Sequence, residues 1–236
     1  MPTMNQQQLN QLYNNQWFAH LSSDLQQYIT NHSQLLTFEK NQAIFRAGDL
    51  FDGIYAVLEG AVRLGYINVQ GHEAVSAIAE PIMWFGEISL VDQLPRSHDA
   101  ICLQPTTVLC LGKEALEKLI THSPIFWKHI AELTSQKLRH AFLELISIQT
   151  QTIQQRLAQR LLFIWNGYGN HLNIVQNEIH ISQEQLAQML VSSRQTINQE
   201  LQILEKLQVI RVAFKKIEIL DPQQLQSIAY QNLSSI

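Results

Sequence analysis

The spacing of hydrophobic positions changes several times along this 236-residue chain. Leu21, Leu25, Tyr28 and Ile29 fall on one helical stripe. They predict short helices over residues 17–32, with Ser23 and Gln26 at capping-box spacing. From 34 to 111 the period drops to two. LLTF, AIF, GIYAVLEG, AVRLGYIN, EAVSAIAE, ICLQ and TTVLCL form short β-rich runs. Ala47-Gly48-Asp49, Glu59-Gly60 and Val69-Gln70-Gly71-His72 break them. Many short strands with glycine turns predict a β-barrel or jelly roll. The first 16 residues are Gln/Asn-rich, and a frayed terminus is expected there.

Helical spacing returns over 113–121. Pro124 then opens a longer pattern to about residue 148, carried by Ile130, Leu133, Leu138, Ala141, Leu145 and Ile148. Such a helix carries more apolar surface than a small barrel needs, so self-association through 124–150 is expected. The alternative is a stripe that packs only on its own barrel. Gln149-Thr150-Gln151-Thr152 interrupts the pattern as a candidate hinge. Periodicity resumes over Ile153–Trp165 and stops at Gly167 and Gly169.

Next comes ISQEQLAQMLVSSRQTINQELQILEKL. Ser182 and Gln185 form a capping box, with Ile181 and Leu186 as its hydrophobic staple. The first helix, about Gln183–Leu190, ends at Val191-Ser192. Ser192 with Gln195 is the expected cap of a second helix from about Ser193 to Leu207. Ile197, Leu201 and Leu204 are its buried face, and Ala187 allows a close crossing. Two capped helices joined by a few residues make a helix-turn-helix. The first turn of the second helix exposes Ser193, Arg194, Gln195, Thr196, Asn198 and Gln199. Arg pairs with guanine, Gln or Asn with adenine, and Ser or Thr with phosphate. Val209–Val212 and Lys216–Leu220 predict a hairpin wing whose basic tip, Lys215, reaches the DNA backbone. Asp221-Pro222 starts a last short helix. The bland alternative is a helical hairpin that only packs.

Composition narrows the partners. Charged residues are 15% of the chain, against about 25% in typical domains, and the net charge is −4. Residues 1–150 carry nine Lys/Arg and fourteen Asp/Glu, a net of −5; residues 151–236 carry seven and six, a net of +1. Any contact with double-stranded DNA is therefore local and C-terminal. Cys102 and Cys110 sit in apolar strand-like runs without a signal peptide, as in a reducing cytoplasm. No apolar run approaches a membrane span.

The whole order, over about residues 30–230, resembles the CRP/FNR superfamily of transcription regulators. Phe45-Arg46-Ala47-Gly48-Asp49 through Tyr55–Leu64 looks like its barrel signature. Phe85-Gly86-Glu87-Ile88-Ser89-Leu90, ending in Pro95-Arg96-Ser97, looks like its phosphate-binding cassette. Ser193-Arg194-Gln195-Thr196-Ile197 looks like its recognition helix. The resemblance implies an α+β chain with three parts. These are a jelly-roll sensor barrel (1–122), a long dimerisation helix (123–150) and a winged helix-turn-helix (151–236). It implies a cytoplasmic homodimer whose DNA affinity an effector sets, with RNA polymerase as a further partner and no catalysis. By the same resemblance, Glu87 holds a ribose hydroxyl, Arg96 and Ser97 hold a cyclic phosphate, and Gly86 lends its N–H. A structural alternative pairs Glu87 with Arg96.

Departures from the family keep the effector open. Ala141 and Phe142 stand where the family's cyclic-AMP receptor uses Thr and Ser to reach adenine. Neither supplies those hydrogen bonds, though Phe142 can stack on a base or fill the pocket. A cyclic nucleotide, another ligand, or a vestigial pocket in a ligand-independent DNA binder all remain. Two cysteines cannot ligate an iron–sulfur cluster. A haem would need an axial ligand such as His72, on a tight turn. A cupin-type metal enzyme would need clustered His and Glu, but the barrel region has only His72 and His98. In the recognition helix Gln195 and Gln199 replace the receptor's Glu and Arg. Val191 replaces a turn glycine, which puts a β-branched residue where positive φ is wanted.

Overall fold

The computed structural model describes residues 4–70, 73–167 and 177–231. His72, weighed above as a haem ligand, and Gly169 lie outside them. The chain divides into two compact units, one ending at Leu138 and the other beginning at Arg139.

The first unit opens with three helices, α1 (Gln6–Tyr13), α2 (Gln16–Ala19) and α3 (Ser23–His32). The expectation of a frayed segment is thus corrected for residues 6–13. Asn5 and Gln8 form a capping box on α1, and Leu12 is fully buried. A polar segment holds a helix when it is capped and a core accepts one of its faces. The cap of α3 also moves: the Ser22 hydroxyl, not Ser23, accepts from the Leu25 N–H. Gln26 instead donates to the carbonyls of Phe18 and Ala19.

Eight strands follow: β1 (Gln34–Phe38), β2 (Ala43–Phe45), β3 (Gly53–Glu59), β4 (Val62–Ile67), β5 (Glu73–Ala79), β6 (Trp84–Phe85), β7 (Asp99–Cys102) and β8 (Thr106–Gly112). They form two four-stranded antiparallel sheets, ordered β1-β8-β3-β6 and β2-β7-β4-β5. The short helix α4 (Ile88–Asp92) sits between β6 and β7. Along β3, Ile54, Ala56 and Leu58 join one core with Trp17, Phe18 and Leu116. The alternate Tyr55 points the other way and stacks on Phe85, as the two-residue period of a strand requires. Helix α5 (Lys113–His122) and the first half of α6 (Phe126–Thr150), up to Leu138, complete the unit's helical side, with Phe126, Ile130 and Leu133 buried in the same core. Further along α6, Leu138, Phe142, Leu145 and Ile148 are each more than half exposed.

The second unit contains α7 (Ile153–Trp165), β9 (Glu178–Ile179), α8 (Gln183–Met189), α9 (Arg194–Lys206), β10 (Ile210–Ala213), β11 (Lys216–Ile219) and α10 (Pro222–Tyr230). Thr152 and Gln155 form a capping box on α7, so the polar interruption read from the sequence is a helix break at 151–152. The sheet runs β10-β11-β9. Leu157, Leu161, Leu186, Ile197, Leu201, Leu204 and Leu225 are buried. Asp221 caps α10 with Pro222 in its first turn. The fold class is α+β: a two-sheet barrel with flanking helices, then a winged helix-turn-helix.

Candidate functional site

In the first unit the cassette is built where β6 hands over to α4. Gly86 has φ +93°. A Cβ there would sit 3.0 Å from Arg96 Nη1 and 3.2 Å from the Gly53 carbonyl, so glycine is required both by conformation and by crowding. Glu87 follows as the N-terminal boundary residue of α4 and is buried, while Ile88 is partly exposed. Ser97 lies at the surface with its Oγ 2.9 Å from His98 Nδ1.

Arg96 is buried among internal partners. Its Nη1 donates to the Gly86 carbonyl at 2.7 Å, and its Nη2 donates to the Gly53 carbonyl at 2.7 Å and to Asp52 Oδ1. The guanidinium carbon lies 4.2 Å from the Phe45 ring centre, 4.9 Å from Phe51 and 5.8 Å from Tyr55. A planar cation that is stacked and forked in this way is held firmly in one orientation. Tyr55 donates its hydroxyl proton to Asp52 at 2.6 Å. Burial and that hydrogen bond push the phenol well above its ordinary range. Glu87 Oε2 accepts from Lys137 Nζ at 2.6 Å. The structural alternative raised from the sequence is thus corrected. The ion-pair partners of Arg96 and Glu87 are Asp52 and Lys137, not each other.

Three buried polar atoms around the cassette have no hydrogen-bond partner among the described residues: Glu87 Oε1, Arg96 Nε and His98 Nε2. They include one acceptor and one obligate donor. Burial lowers the His98 pKa, and the Lys137 and Arg96 charges lower it further against Glu87 and Asp99. Its imidazole is therefore biased toward the neutral form. Ala141 and Phe142, the positions matched to base readers, lie on the exposed part of α6 in the second unit. Sequence reasoning missed Asp52, Lys137 and the aromatic ring set. Their partners are 44 and 50 residues away along the chain, and no local pattern announces them.

In the second unit Ser182 caps α8 reciprocally with Gln185, as read from the sequence. The cap of α9 is one residue later than expected. Ser193 Oγ accepts from the Thr196 N–H at 3.0 Å, and Ser192 is a turn residue whose N–H donates to the Ala187 carbonyl at 2.9 Å. The cause is Val191, which takes φ 49° and so gives the turn one left-handed residue despite its branched side chain. Arg194, Gln195 and Gln199 face solvent on the first turns of α9. Asn198 Oδ1 accepts from Gln183 Nε2 at 3.1 Å, and Thr196 Oγ1 lies 2.8 Å from Ser193 Oγ. Those side chains brace the motif, leaving Arg194, Gln195 and Gln199 as the outward set. Lys215 occupies the wing turn with φ 54°.

Among the described residues no group of three or more His, Cys, Asp or Glu could hold a metal ion. None of their helices is long and apolar enough to cross a membrane. Cys102 and Cys110 are free and buried, and burial pushes the Cys110 thiol up to about 11.

A barrel with this cassette and a winged helix-turn-helix together define a sensor-type DNA-binding transcription regulator. Comparison with known proteins agrees. The cyclic nucleotide-binding domain family matches residues 35–123, and the Crp-like helix-turn-helix domain family matches 155–228. The cyclic AMP receptor protein of Thermus thermophilus is 30% identical over 201 residues, which are 85% of this chain and 90% of that one. A CRP-like cAMP-activated global transcriptional regulator of Mycobacterium tuberculosis is 25% identical over 198 residues, 84% of this chain and 88% of that one. Among solved structures, FixK2 of Bradyrhizobium japonicum shares the fold with a TM-score of 0.74 at 18% identity, covering 86% of this chain and 99% of its own. The chain belongs to the CRP/FNR family and is a DNA-binding transcription regulator of that type.

Proposed function

We propose that this regulator is a cytoplasmic homodimer whose affinity for DNA is set by a hydroxyl-bearing anion of the cyclic nucleotide class bound in its barrel. Residues 1–122 sense, 123–150 dimerise and 151–236 bind DNA. The observation that carries the effector reading is the set of unmet polar atoms around the cassette. Glu87 Oε1 can accept a hydroxyl proton and Arg96 Nε can donate to a phosphate oxygen. Gly86 and Ile88 offer backbone N–H groups, and the exposed Ser97 hydroxyl closes the anion site. The names of the two relatives, each tied to cyclic AMP, support the same class.

Dimerisation rests on Leu138, Phe142, Leu145 and Ile148, which repeat along α6 at helical spacing and stay more than half exposed in one chain. Light scattering should give a dimer mass that Leu145→Lys converts to a monomer mass. DNA is read by Arg194, Gln195 and Gln199, with Ser182, Ser192, Ser193, Thr196, Asn198 and Lys215 shaping the interface or meeting phosphates. RNA polymerase is the partner expected of a regulator of this type, and the chain is not an enzyme.

A second reading, a ligand-independent binder, is favoured by one observation. Both cassette charges already have internal partners, Asp52 for Arg96 and Lys137 for Glu87. Thermal unfolding of the full chain with a panel of cyclic mono- and dinucleotides decides between them. A nucleotide at a hundred times its Kd should stabilise by about 2.7 kcal/mol. Ser97→Ala should weaken that nucleotide without changing the ligand-free midpoint. No shift with any nucleotide, alongside intact DNA binding, selects the second reading.

A further inference from the structure

We infer that His98 belongs to the effector site and takes up a proton as the anion binds: its Nδ1–H turns the Ser97 hydroxyl toward the phosphate, and the imidazolium balances the added charge. This rests on the reading of the cassette as a cyclic-nucleotide site.

The first observation is a contact between neighbours. Ser97 Oγ lies 2.9 Å from His98 Nδ1. The hydroxyl has one proton, and an anion at Ser97 needs that proton pointed at it. The oxygen must then accept from His98, so Nδ1 must carry its own hydrogen. In the opposite arrangement Ser97 donates to the ring and turns lone pairs toward the anion. A neutral ring with its hydrogen on Nδ1 leaves Nε2 as an acceptor. That atom is buried without a hydrogen-bond partner among the described residues. A second proton makes both ring nitrogens donors, the form that suits a bound anion.

The second observation is the charge around the ring. His98 and Arg96 share one aromatic wall. The imidazole meets the Phe45 ring edge-on with 5.7 Å between centres, and the guanidinium carbon lies 4.2 Å from the same ring. The charged groups that face His98 are Lys137 on α6, Glu87 at the start of α4, Arg96 in the cassette and Asp99 on β7. Two are cations and two are anions, so they balance in number. Burial then decides, and it favours the neutral imidazole in the free protein. A phosphodiester adds one negative charge to this balanced set, and a nearby anion favours the imidazolium. One proton from solvent restores the balance. Glu87 already accepts from Lys137, and Asp99 from the Ala47 N–H at 2.9 Å. His98 is therefore the group that changes. The complex holds more protons than the free protein, so affinity rises as the pH falls.

The test uses the full chain and whichever cyclic nucleotide shifts its thermal midpoint most. Its Kd is measured at pH 8 and pH 6, a range in which histidine titrates and a cyclic phosphodiester keeps one charge. Wild type should bind about fivefold tighter or more at pH 6; the limit for one proton is about tenfold per pH unit. His98→Asn keeps a donor near the Nδ1 position but cannot ionise, so it should bind equally at both pH values. Calorimetry of wild type in two buffers of different ionisation enthalpy should show net proton uptake on binding, and it needs no variant. Equal wild-type affinity at the two pH values, no proton uptake, or an undiminished pH dependence in His98→Asn overturns the role of His98 and leaves the effector reading in place. If no nucleotide shifts the midpoint at either pH, the effector reading has failed and this inference falls with it.

Discussion

Lys137 Nζ donates to Glu87 Oε2 across 2.6 Å, joining two positions 50 residues apart in the sequence. The carboxylate is buried and the lysine is mostly so. Removing one partner of such a pair leaves the other charge without compensation in a poor solvent for ions. Lys137→Met should therefore cost about 2 kcal/mol of stability, read as a lower denaturation midpoint. Glu87→Gln in the same chain should restore most of the loss, because a neutral amide tolerates the site. Additive losses in the double variant would show that the two side chains act independently.

Glu80 supplies a pH dependence with a definite sign. Burial pushes its carboxyl from 4.5 up to about 7. The folded state thus binds this proton more tightly than the unfolded state does. Stability from this group is fully present below pH 4.5 and is lost as the pH rises to about 7. His98 and His140 act the other way. Both are lowered, chiefly by burial, so they cost stability as the pH falls below about 6.5. A single curve mixes the two, and Glu80→Gln separates them. The variant should be more stable than wild type at pH 8 and equal to it near pH 4.5, by denaturant midpoints. An equal difference at both pH values would exclude proton linkage through Glu80.

What could be read in the sequence was what lies within a few residues. The Ser182–Gln185 box, the α9 stripe of Ile197, Leu201 and Leu204, and the Asp221-Pro222 start are local patterns, and each is observed. The α9 cap falls one residue later than its spacing predicts because Val191 does take the positive φ that a turn glycine would have supplied, which keeps Ser192 in the turn and leaves the cap to Ser193. Helix α1 was missed because its stability comes from Leu12 entering a distant core rather than from propensity. The cassette was legible only through its resemblance to a family. The partners that hold its charges, Asp52 and Lys137, come together through tertiary packing that no periodicity encodes.

Val191 sits in the turn between α8 and α9 with φ 49° and is 85% exposed. A branched side chain costs about 1–2 kcal/mol in that region, while glycine costs about half that in unfolded-state entropy. Val191→Gly should therefore stabilise the winged unit by about 1 kcal/mol and raise its thermal midpoint by a few degrees. No side-chain contact is lost, so DNA affinity should not fall. A lower midpoint would mean that the valine side chain is held by packing in the assembled protein.

Arg194 is the first residue of α9 and faces solvent. Its neighbour Ser193 is committed to the cap through Thr196. The two therefore fail differently when truncated. Ser193→Ala should cost about 1 kcal/mol of stability and weaken all DNA alike, since it loosens the helix start. Arg194→Ala should leave the fold intact and cost about 1–3 kcal/mol of binding to the selected site. Its loss should fall on one base pair per half-site. Selection from a random duplex pool should show a guanine preference in wild type that disappears in Arg194→Ala, while the positions facing Gln195 and Gln199 keep theirs. A uniform loss across every sequence would instead make Arg194 a phosphate contact and leave base reading to the two glutamines.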